Sequence, residues 1–144
     1  MNRYTYRAKE FNSNSKWVYG SYLKFLPYTP NPLGKPPREE EYEHLIVREG
    51  FSDWNLPRGL SAFKVDASTV SQCTGSLDKN NVPIYENDIV VFGHVAYIVT
   101  WKYDKFILKS VEPKMFDQEF PDDSSLVQVI GNIFETSNVT RSTL

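Results

Sequence analysis

Few side chains in this chain of 144 residues are suited to chemistry. A nucleophilic site needs a Cys or Ser within hydrogen-bond reach of a base, and the sequence offers Cys73 with two imidazoles, His44 and His94. A lone cysteine in such a segment behaves as a small buried hydrophobe, so no catalytic residue is assigned. A structural zinc site takes four Cys/His ligands; with two His and one Cys the chain falls short, and no metal or cofactor is expected. Glu86 and Asp88 stand two apart where a strand begins and would share a face. They could serve as an acid–base pair, but Asp88 more simply closes a turn. No glycine-rich loop of the phosphate-cradling kind is present.

The residues best suited to binding are Trp101, Lys102, Tyr103 and Lys105, with Phe106 and Lys109 following. Aromatics interleaved with lysines at a hairpin tip can stack bases while the lysines meet phosphates. The plainer reading is a hairpin whose aromatics fill a core and whose lysines guard an edge strand. A net charge of −2 supplies no field for nucleic acid. Trp54, between Asp53 and Asn55, could anchor a protein partner; folded back over the core is the expected arrangement.

These residues need strands to hold them. Aromatics make up 15% of the chain, with seven Gly and nine Pro spread through it, which favours many short strands over helices. Residues 3–9 alternate with Tyr4, Tyr6 and Ala8 on one face, and residues 16–25 follow after a turn at Asn12–Ser15, giving a hairpin. Gly20 within the second arm marks a bulge or a close backbone contact. Residues 27–43, with five prolines and then Glu39, Glu40, Glu41 and Glu43, cannot pair as a strand interior. They form an extended excursion, or else an acidic docking segment. Short strands are expected at 44–48 and 60–65, then one helical turn capped by Asp66. Turns follow at Thr74-Gly75 and through Asp78–Asn81.

From Asp88 onward three strands run in succession: 88–92, 95–101 and 106–111. Gly93-His94 suits a type II′ turn. A short helix is expected around Lys114–Glu119, then a last strand, 126–134, with Gly131 inside it. The expected fold is therefore mainly β with little helix. It has a small Src-homology-3-like barrel of about residues 66–135, an N-terminal β lobe of about 1–65, and a polar tail, 136–144, all within one domain. No signal-peptide core or membrane span is evident, so a cytoplasmic protein without membrane contact is expected.

Several blocks, taken in order, carry a resemblance. They are Tyr6-Arg7-Ala8, Lys16-Trp17-Val18-Tyr19-Gly20, Thr69-Val70-Ser71-Gln72-Cys73-Thr74-Gly75 and Asp78-Lys79-Asn80-Asn81. Ile84-Tyr85-Glu86-Asn87-Asp88-Ile89-Val90 and Val129-Ile130-Gly131-Asn132-Ile133 follow. Together they resemble the signature of the YopX family of phage and prophage proteins. The 27–43 excursion lies outside the resemblance. Asn81 and Asn87 stand where that family usually has Gly. Asn best tolerates positive φ among the other residues, so both are expected to be left-handed. The motif positions Gly75, Asn81, Tyr85, Asn87, Asp88, Gly131 and Asn132 are read as fold-specifying.

The resemblance implies a β-structured phage or prophage protein in a bacterial host, and brings no activity, cofactor or catalytic residue with it. The function expected first is a non-enzymatic accessory module that binds a host or phage protein and associates with its own copies. A nucleic-acid-binding barrel is the second reading, and a hydrolase-type enzyme the third.

Overall fold

Alternating apolar and polar side chains make strands here, and Asn, Asp and Gly decide where they reverse. The structure, a computed structural model, describes residues 2–12, 16–50, 54–56 and 59–135. They fall into two compact units, one of residues 5–70 and one of residues 1–4 with 71–144. Of the expected turn at 12–15 only Asn12 is described, with φ of 65°; Ser13–Ser15 and the tail 136–144 lie outside the described residues.

The 5–70 unit is an antiparallel meander of β1 (Tyr6–Lys9), β2 (Trp17–Phe25), β3 (Glu43–Glu49) and β4 (Leu60–Lys64). Ala8, Val18, Ile46 and Val65 are buried at its centre, with Tyr6, Tyr22 and Phe63 packed against them. Gly20 is required by close approach rather than by a bulge, since a Cβ there would lie 2.5 Å from the Val47 carbonyl oxygen of β3. The meander curls until the end of β4 meets the end of β1. Glu10 bridges Val65, the Phe11 amide donates to the Lys64 carbonyl and the Asp66 amide to that of Lys9. The capped turn forms as expected: a 3-10 turn at Ala67–Thr69, with the Asp66 carboxylate accepting from the Ser68 amide.

Two expectations fail in this unit and one in the other. Arg7, which alternation sets on the face opposite Tyr6 and Ala8 and so toward solvent, is buried over the Trp17 ring at 4.8 Å, where its stem packs and its charge meets the ring face. Trp54 does not fold back; it is 91% exposed. In the other unit Tyr4 lies before the first strand and is exposed, because its amide donates to the Asn2 side chain in a local turn.

The unit of residues 71–144 contains β5 (Ser71–Leu77), β6 (Pro83–Tyr85), β7 (Asp88–Phe92), β8 (Val95–Lys102), β9 (Lys105–Ser110), β10 (Gln118–Glu119) and β11 (Gln128–Asn132). β5 and β6 pair as a hairpin, and the remaining strands make one antiparallel sheet in the order β10-β9-β8-β7-β11. Ile84, Val90, Tyr97, Val99, Leu108 and Val127 form the core, each side chain contributing about 1.5–3 kcal/mol by burial.

The class is all-β as expected, but the barrel does not close. Its prospective closing edge on β11 is already engaged: the Val129 amide donates to the Asp78 carboxylate and the Val127 carbonyl accepts from the Lys79 amide. No helix forms over 114–119. Gln118 and Glu119 pair with Leu108 and Ile107 of β9 instead, because an uncapped single helical turn is marginal beside an open ladder.

Thr74-Gly75 is not a turn but a bulge inside β5, with Gly75 at φ of 85° where the pairing register shifts. Gly131 likewise marks a register shift in β11. At Gly93 and His94 φ is 59° and 66°, so the β7–β8 turn has the type I′ signs rather than II′. The left-handed assignment of Asn81 and Asn87 holds, with φ of 59° and 69°.

Candidate binding surfaces

Apart from His94, the side chains suited to chemistry are committed to the fold. Cys73 is fully buried, and its Sγ accepts from the Gly75 amide across the β5 bulge. Asp88 is buried and its Oδ2 accepts from the Tyr85 amide at 2.8 Å, closing the turn that Asn87 makes possible. Burial pushes the neighbouring Glu86 carboxyl above the usual carboxylate range, against the opposing effect of a main-chain hydrogen bond involving Gln72. Asn87 adds a bond from its Nδ2 to Ser71 Oγ, and the Asn132 carbonyl oxygen of the side chain accepts from the Phe134 amide. His44 stacks on Tyr22 with 12° between planes and shares a hydrogen bond with its hydroxyl, while His94 is exposed at the β7–β8 turn. Among the described residues no group of three or more His, Cys, Asp or Glu is placed to hold a metal.

The β8–β9 hairpin divides the aromatic–lysine set. Strand alternation puts Trp101 and its cross-strand partner Phe106 on the face that carries Val99 and Leu108, rings 4.8 Å apart edge to face. Lys102, Lys105 and Lys109 fall on the opposite face with Ile98 and Ile107. Lys105 is paired with Glu119 at 2.8 Å, and Lys102 lies over the Tyr103 ring at the tip. Tyr103 is 78% exposed. The structure thus brings Lys102 and Tyr103 together and sets Lys109 apart from them.

The proline- and glutamate-rich excursion forms a wall rather than a loose tail. Glu39 binds Lys24, and Glu41 accepts from the Arg38 amide and the Tyr28 hydroxyl. These contacts hold both carboxyls below their ordinary range, led by the Lys24 bond for Glu39 and the Arg38 amide for Glu41. Between this wall and Phe11, Lys64 and Asp66 lies a cleft of about 430 Å³. Sequence reasoning missed it, although the Glu run leading into β3 was its available signal. Glu41 and Asp66 face it already bonded to main-chain donors, and Lys64 covers the Phe11 ring.

The connection from β3 to β4 presents another kind of surface. Trp54, Leu56 and Leu60 are 91%, 63% and 77% exposed. Leu60 opens β4, a sheet edge that among the described residues lacks the usual guards. β10 is two residues long and carries a Lys–Glu pair, β11 is blocked by Asp78 and Lys79, and β6 begins at a proline, all devices that discourage strand addition. On β4 the Gly59 carbonyl and the Val65 amide bond toward β3, so alternation turns the peptide groups of Leu60 and Ala62 outward. Among the described residues, Phe11 covers the strand, at Lys64 alone.

No curated protein matches the chain. A family model described as YopX protein matches residues 5–139, a span that takes in the β1–β2 hairpin, the Asn81 and Asn87 turns, the Asp88 cap and the bulged β11. By that match the chain belongs to the YopX family.

Proposed function

We propose that the protein is a non-enzymatic phage or prophage accessory module, working in the cytoplasm of a bacterial host, that binds another protein and associates with its own copies. One observation carries this reading: Trp54 stands almost wholly in water, in the connection that leads into β4, with Leu56 and Leu60 exposed as well. Trp is among the residues that most often dominate protein interfaces, and a ring of this size gains its burial free energy only when a partner covers it. The phage setting rests on the family resemblance.

The test compares the wild type with Trp54→Ala. An exposed side chain contributes little to the fold, so thermal unfolding is expected to shift by no more than about 1–2 °C. Sedimentation across a concentration series, and affinity capture from infected or lysogenic cells, are expected to show association that the variant loses. A wild type that stays monomeric, and captures nothing the variant does not, overturns the reading.

A second reading has its own observation, the exposed Tyr103 with Lys102 over its ring. It assigns the β8–β9 tip to single-stranded nucleic acid. Unchanged mobility of DNA and RNA at low salt, where phosphate contacts are strongest, would remove it.

A further inference from the structure

We infer that the outward edge of β4, which the described residues leave open from Leu60 to Phe63, takes a second copy of the same strand, added antiparallel about a two-fold axis through Ser61. This rests on the protein-binding reading above and gives it a surface and a partner.

The edge is its own complement. Leu60 and Ala62 turn their peptide groups outward, and a two-fold axis at Ser61 sets Leu60 against the second copy's Ala62 and the reverse. Outward groups then meet outward groups, the condition for a hydrogen-bonded antiparallel pair, and the two pairs make about four main-chain bonds.

The side chains complement one another in size. Leu60 meets Ala62 on one face, Phe63 meets Gly59 on the other, and Ser61 meets Ser61 on the axis, so each large group faces a small one. Pairing ends where Phe11 takes the Lys64 carbonyl, which fixes the register and limits the contact to a few residues. The pairing covers part of Leu60, and Trp54 and Leu56 stand exposed in the connection that leads into the strand. A second copy suits this edge better than an unrelated strand because the large–small order reads the same from both sides.

Ser61 supplies the test. On the axis it would be a non-hydrogen-bonded pair, with Cα atoms about 4.5 Å apart, inside the range a disulfide spans. Under mild oxidation the Ser61→Cys variant is expected to form a dimer bridged by a disulfide between the two introduced thiols, identified by mass spectrometry, while Cys73 stays buried and does not compete. An Asp104→Cys variant, exposed at the β8–β9 tip, is the control for random encounter. In parallel, Ala62→Pro removes an outward donor that the fold does not use, which an edge strand tolerates. It is expected to weaken dimerisation about tenfold with an unchanged circular dichroism spectrum.

Crosslinking no faster than the control, or an unchanged dissociation constant in a folded Ala62→Pro, overturns the inference. If the wild type still dimerises in that case, self-association survives and only this edge is wrong. A wild type that is monomeric throughout, with no partner lost in Trp54→Ala, overturns both this inference and the reading beneath it.

Discussion

Removing the Asp78 carboxylate should unfasten the 71–144 unit. The side chain is 3% exposed and accepts three main-chain amides, from Asn80 and Val82 on Oδ1 at 2.8 and 2.9 Å and from Val129 on Oδ2 at 2.9 Å. The first two shape the turn between β5 and β6, and the third ties that turn to β11. In Asp78→Ala all three donors lose a charged acceptor. Asn80 and Val82 are exposed and rehydrate at a cost of about 0.5–1 kcal/mol each. The Val129 amide is less accessible and costs about 1–3 kcal/mol. The sum is about 3 kcal/mol, a large part of a typical domain stability of about 5–15 kcal/mol. Asp78→Asn keeps one oxygen but sets an amide donor against the Val129 N–H, so about 2 kcal/mol is expected.

Urea unfolding should show the loss as a lower midpoint at unchanged slope. Acid gives a second reading of the same contact. Burial by itself raises the Asp78 pKa, but the amide bonds from Val129, Val82 and Asn80 outweigh it and the net shift is downward. The unfolded chain therefore takes up the proton first as pH falls. Asp78 contributes its full stability above about pH 4, where an unfolded carboxylate is ionised, and loses it as pH falls through the folded value. Asp78→Asn should flatten the stability profile in that acid window. A cost under about 1 kcal/mol for Asp78→Ala, or an acid profile that Asp78→Asn leaves unchanged, would refute the reasoning.

Gly20→Ala places a methyl group 2.5 Å from the Val47 carbonyl oxygen and should cost about 2 kcal/mol or more in urea unfolding, since main chain cannot move aside as a side-chain tip can. Tyr103 and Asp104 both have positive φ, 55° and 60°. Replacing them with Asn and Gly should raise stability by about 1 kcal/mol in the same assay, because Asn-Gly suits a type I′ turn. At Asn81, with φ of 59°, Gly should be neutral or stabilising by a few tenths of a kcal/mol, while Ala should cost about 1 kcal/mol. Equal effects of Gly and Ala there would contradict a left-handed requirement.

The all-β class, the strands other than β5, β6 and β10, and the two left-handed asparagines were legible in the sequence, because alternation and turn chemistry are local. Asp66 as a cap was legible for the same reason, while Gly20 was legible only as a bulge or a close contact, and the Val47 carbonyl decided between them. The site was harder to read. Whether Trp54 covers a core or stands in water depends on what surrounds it, and no pattern within a few residues encodes that. The same holds for the cleft, whose walls come from Phe11, the Glu40–His44 run and Lys64–Ala67.

Local sequence settled most of the segments that extend and most of the turns, though not β5, β6 or β10, since φ preferences and side-chain alternation act within a few bonds. Only the tertiary structure decided which edges are closed. The barrel expected of the C-terminal strands stays open because Asp78, remote in sequence from Val129, takes the amide a closing strand would need. β4 remains open because Phe11 reaches only its last residue. Such competition for main-chain groups is settled by which acceptor arrives in space, and a linear reading does not contain that distance.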